Sequence, residues 1–427
     1  MEAFPHWIII LIVVIVLTKV AVLLARRFDL PAFTIQLLIG ILLGPSLLNL
    51  LGVPMVLGTW GSPSSGPLHG VLKTLAEIGL IQLMFLAGLR VDWRELKKIL
   101  KLSFSVGAWG FVLTAVSVAI ITRVFVDHWS EALAVSAVVS GSSFGISIYY
   151  FSERKILDSR VALMISGAAI LSGLLAILLM VASQATNYTV TYGAFKMTIA
   201  VSWFLAKLIM FFAVAYFLIS RFIKLVARTG FEKRPRQMLI GYLLLVAALY
   251  AWPSMHFGSF AAVGVASLGG ALLGVSNVEV KNKIAEGFQS LLASIPIGIL
   301  FVVIGMEVSF KEMRTSVLFP VALLGMAVVT KLVGSWIATN KGIESSRERA
   351  LVMLGALPQG EIGVLIAAYL FSRGVVNPSQ FNLAIIAVVI LTMIAPVLMK
   401  MANYFPSPLP IAGGSDEAGR KSCNSVL

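Results

Sequence analysis

Long apolar segments separated by short polar ones make up almost the whole chain. A membrane-spanning helix needs about 20 mostly apolar residues, and breaks at polar residues, Pro and Gly divide the sequence into thirteen such segments. They cover residues 7–25, 31–51, 71–89, 102–126, 131–152, 159–185, 197–220, 237–252, 257–275, 288–309, 316–339, 349–372 and 379–403. The pattern predicts an all-α integral membrane protein with about thirteen transmembrane helices over residues 1–406 and a short polar tail over residues 407–427.

The composition agrees with a lipid bilayer as the solvent of this chain. Hydrophobic residues make up 59% of the sequence and charged residues only 12%, against about 45–50% and about 25% in ordinary soluble domains. The net charge of +14 comes from Lys and Arg residues between the apolar segments, so it indicates cytoplasmic loops rather than a nucleic-acid partner. With the N-terminus outside, 24 of these residues fall in inside segments and 6 in outside ones. This asymmetry predicts a cytoplasmic C-terminus in a plasma (inner) membrane.

The sequence offers no motif for an enzyme or a cofactor. The chain lacks the Gly-rich turn of a nucleotide-binding domain, and no Ser/His/Asp constellation is confined to one membrane face. The single Cys423 excludes a disulfide framework within the chain and a multi-cysteine metal site. We therefore expect no enzymatic activity, no cofactor and no metal site. The lipid bilayer is the expected surrounding, and an ion gradient the expected source of energy.

Two of the predicted helices are interrupted in mid-span. The fifth contains Gly-Ser-Ser-Phe-Gly at 141–145, and the twelfth contains Leu-Pro-Gln-Gly-Glu at 357–361. These interruptions occupy corresponding places if residues 7–185 and 237–403 are two repeats joined by a linker helix at 197–220. Membrane helices tolerate such breaks where the freed backbone groups line a cavity. Matched breaks in two repeats therefore predict a mid-membrane binding site.

Lys331 and Glu361 are the sharpest ionisable candidates inside the predicted spans. Ionisable groups at membrane depth are costly and mark functional sites by default. Lys331 lies too deep to reach the membrane surface, and Glu361, one turn past the second break, is its expected partner; the alternative is a buried polar lock that fixes helix packing. Glu77 has a simpler explanation as a helical ion pair with Lys73, and Lys207, on the linker helix, stays open between function and packing.

Several segments of the chain together resemble one known family. These segments are residues 38–45, 75–79, 85–89, 301–306 and 357–361. They resemble, in order, segments of the monovalent cation:proton antiporter-2 family, which contains the Kef-type proteins and sodium/proton exchangers. The resemblance implies inverted repeats, two broken helices that cross, a mobile core domain and a dimerisation domain, and hence a homodimer. It also implies a pair of acids in helix six that binds cations and protons in competition.

The chain departs from this family in helix six. Ser172 and Gly173 occupy the place of the two acids, and no carboxylate occurs between Asp158 and Glu232. Lys331 falls where the family keeps a basic residue, whereas Gln359 replaces an Arg. The residues expected to form the ion or substrate site are therefore Ser142, Ser143, Ser172, Gly173, Lys331, Gln359 and Glu361.

Three functions remain open on these residues. The leading hypothesis is a secondary transporter that exchanges Na+ or K+ for protons by alternating access, with Glu361 or Lys331 carrying the proton. The second is a carrier of small anions or organic acids, in which Lys331 is the counter-charge and positive half-helix ends face the site. The third is a membrane sensor or partner subunit of the same fold that transports nothing.

Overall fold

The apolar segments fold as α-helices, because a helix satisfies its backbone polar groups within one segment and so can cross a lipid bilayer. The computed structural model describes residues 6–48, 67–154, 159–192, 194–228, 259–276, 294–310, 318–340, 342–343 and 345–403. The secondary-structure elements in these ranges are α-helices. Nine spans in this part of the chain are long and apolar enough to cross a membrane, and three shorter apolar helices accompany them.

The helices follow the predicted order. Up to Arg228 they are α1 (His6–Phe28), α2 (Ala32–Leu43), α3 (Pro67–Arg90), α4 (Trp93–Lys98), α5 (Leu100–Phe125), α6 (Trp129–Ser140), α7 (Phe144–Glu153), α8 (Arg160–Tyr192) and α9 (Ala194–Arg228). After it they are α10 (Ser259–Ser276), α11 (Ser294–Met306), α12 (Leu318–Thr339), α13 (Ser346–Gly355), α14 (Gly360–Ser372) and α15 (Pro378–Asn403).

These helices account for twelve of the thirteen predicted spans. The predicted eighth span at 237–252 and the predicted tail at 407–427 lie outside the described residues. α8 and α9 run further than the predicted 159–185 and 197–220, and α2 ends earlier than residue 51. The short helix α4 was not predicted; the Asp92 side chain caps it by accepting hydrogen bonds from the backbone of Arg94 and Glu95, as N-cap residues do.

The helix contacts repeat between the two halves of the chain. In the predicted repeats, α2, α3, α5 and α8 correspond to α10, α11, α12 and α15. If each helix is replaced by its counterpart in the other half, the pair α3 and α10 turns into the pair α11 and α2. Both pairs are in contact, and both contacts are among the most extensive in the fold. The helices α5 and α12 are each other's counterparts and are in contact. The pair α8 and α6 corresponds to the pair α15 and α13, and both of these pairs are in contact as well. The bundle is therefore the inverted-repeat fold that the resemblance implied.

Close glycine contacts hold the symmetric pairs of helices together. A methyl group on Gly40 of α2 would overlap the carbonyl oxygen of Val302 and lie 2.8 Å from the Cα of Gly305 in α11. At the corresponding contact, a methyl group on Gly270 of α10 would overlap the carbonyl oxygen of Phe85 in α3. Small residues permit such backbone approach between membrane helices, so these glycines are packing positions.

Polar bridges tie helices together at both ends of the bundle. One face is here called the basic face because Arg26, Arg154 and Lys400 lie there. On this face, Arg154, which follows α7, donates to Asp29 Oδ1 at 2.6 Å, and the Nζ of Lys400 in α15 lies 3.3 Å from Asp29 Oδ2. Slight burial opposes ionisation, but these two bases hold the pKa of Asp29 below its ordinary value. On the opposite face, Asn382 of α15 and the backbone of Ser309 exchange two hydrogen bonds of 2.9 Å.

Candidate functional site

The two interrupted spans cross at their breaks. The first break separates α6 from α7 and the second separates α13 from α14. The backbone N–H of Ser143 in the first break donates to the carbonyl oxygen of Pro358 in the second at 2.7 Å. The Ser142 hydroxyl donates to the carbonyl oxygen of Ala356, the C-cap of α13, at 2.9 Å. Four half-helix ends therefore meet at one place in the interior.

The second break follows from local backbone chemistry. Pro358 has no N–H to donate and its ring disfavours a continuing helix. Gly360 has a φ of +39°, in the left-handed region that favours glycine, and a methyl group there would overlap the side chain of Ile146. The backbone N–H of Gly360 donates to Thr392 Oγ1 of α15 at 3.1 Å.

Glu361 binds the N-terminal end of α7. Its side chain is 1% exposed, and its carboxylate accepts hydrogen bonds from the Ser143 hydroxyl and, at 2.8 Å, from the backbone N–H of Gly145. The Ser143 hydroxyl in turn accepts from the N–H of Ile146 at 3.0 Å. A carboxylate is favourable here because the first N–H groups of a helix lack partners and carry partial positive charge.

Lys331 of α12 binds the C-terminal end of α6. It is 1% exposed, and its Nζ donates to the carbonyl oxygens of Ser140 at 3.1 Å and Gly141 at 2.6 Å. The side-chain amide of Gln359 donates to the next carbonyl of the same end, that of Val139. The expected Lys331–Glu361 pair is therefore wrong. A broken helix exposes carbonyls at one end and amides at the other; the basic side chain binds the carbonyl end and the acidic side chain binds the amide end.

Helix six, observed as α8, brings its two predicted positions to the crossing. Ser172 Oγ accepts from the backbone N–H of Ser142 at 3.1 Å and donates to the carbonyl of Ala169. A methyl group on Gly173 would lie 2.9 Å from the side chain of Ile362, just after Glu361. All seven predicted residues thus gather at the crossing. Within the described residues, no cluster of three or more His, Cys, Asp or Glu side chains has a geometry that would hold a metal ion.

Sequence reasoning missed two contributors to the site. Thr392 lies in an uninterrupted apolar helix, and its position as a polar residue in mid-span was the available signal. The carbonyl oxygens at the end of α6 could not be identified from residue types, since every residue has a backbone carbonyl. Their role follows from the break itself, which leaves the last carbonyls of α6 without helical partners.

Two other ionisable candidates lie on helices that do not form the crossing. Glu77 of α3 is 5% exposed, and the ammonium of Lys73 interacts electrostatically with Glu77 and with Glu307. Lys207 of α9 is exposed on the helix surface, where its ammonium lies 5.1 Å from the ring centre of Trp203. This arrangement favours packing as the role of Lys207.

A cavity of about 310 Å³ leads from the basic face toward the crossing. Its walls come from α1, α3 and α11 on one side and α7 on the other. The lining runs from the exposed Arg26 and Glu153 through Arg90 to the buried Gly145. Because the N–H of Gly145 binds Glu361, the inner end of the cavity is one residue away from that carboxylate.

Two broken helices that cross inside an inverted-repeat membrane bundle define the class of protein, because this architecture is that of secondary transporters. Residues 10–401 match the family described as sodium/hydrogen exchanger, transmembrane, and the chain belongs to that family. The resemblance noted from the sequence is thereby confirmed.

Similar proteins agree with this membership. The Na(+)/H(+) antiporter of Enterococcus hirae is 26% identical, with 92% of this chain and 96% of that protein covered. The probable Na(+)/H(+) antiporter GerT of Bacillus cereus is 24% identical, with 92% and 98% covered. A structure of the sodium proton antiporter of Methanocaldococcus jannaschii at pH 8 superposes with a TM-score of 0.66 at 16% identity, covering 96% of this chain and 99% of that one. This likeness concerns the fold.

Proposed function

We propose that the protein is a secondary active transporter that exchanges a monovalent cation, Na+ or K+, for protons at the crossing of its two broken helices. The observation that carries the proposal is the placement of Lys331 and Glu361 on half-helix ends of opposite sign, beside a cavity open to one face. The names of the similar proteins, which are Na(+)/H(+) antiporters, support the same function.

Alternating access follows from how the two groups of helices meet. The cavity opens between α7 and a wall of α1, α3 and α11 on the basic face, while the Asn382–Ser309 bridge joins α15 to the end of α11 on the opposite face. Movement of the crossing helices relative to α3 and α11 would close the first opening and separate the bridge. Such a movement exposes one central site to each face in turn.

The orientation follows from the distribution of positive charge. Since basic residues concentrate in cytoplasmic loops, we assign the basic face to the cytoplasm of a plasma (inner) membrane, with the N-terminus outside. The described state is then open to the cytoplasm. We also assign residues 7–185 and 237–403 to the two repeats, residues 197–220 to the linker, and a homodimer to the assembly.

The transported ion is expected to bind among the seven residues gathered at the crossing. Ser142, Ser143 and Ser172 supply hydroxyl groups, and the serine backbones supply further polar atoms. Of the seven, Lys331 and Glu361 are the residues that can gain or lose a proton, so one of them must carry it. A small-anion carrier is less well supported, because the Lys331 ammonium is already engaged by two carbonyl oxygens.

The test is reconstitution into liposomes with imposed Na+, K+ and pH gradients, and an internal dye that reports pH. We expect cation-dependent proton flux that is lost in Lys331→Ala and Glu361→Gln and kept in the matched control Lys207→Ala. Anion flux that disappears in Lys331→Ala, without flux of any cation, would establish the anion carrier instead. Inert vesicles from well-folded protein would establish a sensor or partner subunit.

A further inference from the structure

The cavity that opens on the basic face changes from polar at its mouth to apolar at its inner end. α3 lines it from Leu83 to Arg90, a distance of about 10 Å along a helix. α7 lines the other side from Gly145, beside the crossing, to Glu153 at the mouth. Along both helices the apolar lining residues come first and the charged residue comes last. The lining therefore suits a molecule with one polar end and one apolar end.

Positive charge predominates at the mouth of this cavity. Arg26 and Arg90 line it, and Glu153 is the one carboxylate among the described residues that do so. The Glu153 carboxylate accepts hydrogen bonds of 3.4 Å from the backbone N–H of Ala32, the first residue of α2, so that helix end offsets part of its charge. A recess with apolar walls focuses the field of the remaining charges and attracts ions of opposite sign. The mouth therefore favours an anion over a cation.

The surroundings of Arg90 provide directed hydrogen bonds as well as charge. Arg90 is half-buried at the C-terminal end of α3, and its guanidinium is close enough to Tyr149 of α7 to interact with it electrostatically. The Tyr149 ring packs against the rings of Phe33 and Phe301, whose centres lie 6.2 Å and 6.1 Å away. Ser152 adds a second hydroxyl group nearer the mouth. A guanidinium presents paired N–H donors that match two oxygens of an acid group, so these residues can hold such a group in one orientation.

The inner part of the cavity is apolar and has the size of a small molecule. Its walls there are the side chains of Leu83, Leu86, Ala87, Ile148 and Ile297. The whole cavity, at about 310 Å³, lies at the lower end of the range of about 300–1,000 Å³ found for small-molecule sites. Transfer of an apolar body from water to these walls is favourable. A small organic anion therefore fits the cavity better than an inorganic ion alone.

We propose that this cavity is a binding site for a small amphipathic organic anion that enters from the basic face and inhibits the protein. Its acid group binds Arg26 and Arg90, and its apolar body fills the inner part. The bound molecule lies between α7 and the wall of α1, α3 and α11 and keeps them apart, so the opening on the basic face cannot close. Binding is independent of the proposed exchange function, whereas the inhibition rests on it.

The test of binding is equilibrium dialysis of the purified full-length protein against naphthalenesulfonate, with naphthalenesulfonamide as a neutral molecule of similar shape. For the wild type we expect a Kd for the sulfonate at least about tenfold below that for the sulfonamide, because hydrogen bonds between ionised groups are the stronger ones. In Arg90→Gln the Kd for the sulfonate should rise about tenfold or more, and the Kd for the sulfonamide should not change. Arg26→Gln, at the exposed mouth, should weaken sulfonate binding by about two- to fivefold.

Arg27→Gln is the matched control for charge on the basic face. Arg27 is exposed in the same last turn of α1 as Arg26 but lies outside the lining of the cavity. The Kd of this variant for naphthalenesulfonate should equal that of the wild type.

The test of inhibition is cation-dependent proton flux in proteoliposomes with naphthalenesulfonate on both sides of the membrane. A sulfonate stays ionised, so it does not carry protons across the bilayer as a weak acid would. We expect half-inhibition of the wild type at a concentration close to the Kd from dialysis. In Arg90→Gln this concentration should rise by the same factor as the Kd.

The inference is wrong if the sulfonamide or inorganic sulfate binds the wild type as tightly as naphthalenesulfonate does, or if Arg90→Gln and Arg27→Gln bind it equally well. If Arg90→Gln does not fold, Arg26→Gln is compared with Arg27→Gln instead, and equal binding by these two variants contradicts the site. Full flux at a saturating concentration of the sulfonate would overturn the inhibition. Binding as expected in a protein that shows no flux without the sulfonate keeps the site and removes the exchanger.

Discussion

Replacement of Ser143 by alanine tests how the crossing is held together. The Ser143 hydroxyl donates to Glu361 and accepts from the backbone of Ile146, so the change removes an N-cap and a hydrogen bond to a buried charge. Loss of the cap costs about 0.5–2 kcal/mol, and loss of a hydrogen bond to a charged group costs about 1.5–3 kcal/mol. We therefore expect Ser143→Ala to lower the free energy of unfolding by about 2–5 kcal/mol.

A double-mutant cycle with Glu361→Gln isolates the contact between the two side chains. Unfolding is followed by circular dichroism in mixed micelles with increasing SDS. Because Ser143→Ala removes the donor and Glu361→Gln removes the charge of the acceptor in the same hydrogen bond, the double variant should cost about 1–3 kcal/mol less than the sum of the single variants. Ser345→Ala is the matched control, since Ser345 caps α13 through the N–H of Glu348 and, within the described part of the chain, no buried carboxylate binds its hydroxyl. Its cost should stay at about 0.5–2 kcal/mol. Additive costs in the cycle, or equal costs for the two serines, would refute the assigned contact.

Three further predictions follow from single positions. Gly40→Ala should lower the free energy of unfolding by about 1–3 kcal/mol through overpacking. Gly325→Ala should be neutral or stabilising in the same SDS titration, because no atom of the described residues lies within 4 Å of the new methyl group. Asp29→Asn keeps a residue type that tolerates its φ of 52°. Because the pKa of Asp29 lies below its ordinary value in the folded protein, the wild type should be slightly more stable at neutral pH, and the difference should vanish as the pH falls through the folded pKa. Ser172→Asp should strengthen the cation dependence of proton flux, and a flux equal to that of the wild type would contradict the placement of Ser172 at the site.

Apolar segment length and charge distribution predict most of the fold, because a bilayer imposes both. The break at 357–361 was readable from Pro358 and Gly360, and the break at 141–145 from a run of Gly and Ser. The bounds of α8 and α9 were not readable, since residues 186–192 and 221–228 are polar enough to suggest loops and yet continue their helices. Helix α4 was missed because its cap, Asp92, lies in a charged stretch that predicts a loop equally well.

The sequence predicted which residues come together at the candidate site but not which groups they contact. Residue types predicted that Lys331 and Glu361 come together because opposite charges attract in a low-dielectric interior. They could not indicate that the backbone supplies stronger alternatives nearby. The Ser140 and Gly141 carbonyls and the Gly145 amide become available only when α6 and α7 are separated by a break, and this is a property of the fold.

The division of Lys331 and Glu361 between two half-helix ends constrains how an ion can pass. Inside a membrane, an unpaired backbone carbonyl or amide costs several kcal/mol, on the order of the burial cost of any unsatisfied polar group, so each end needs a partner during transport, from the protein, an ion or water. At the carbonyl end of α6, whatever replaces the Lys331 ammonium must be a hydrogen-bond donor or a cation. At the amide end of α7, whatever replaces the Glu361 carboxylate must be an acceptor. Under the proposed exchange function, a cation that arrives through the basic-face cavity would therefore be favoured at the carbonyl end of α6 and disfavoured at the amide end of α7.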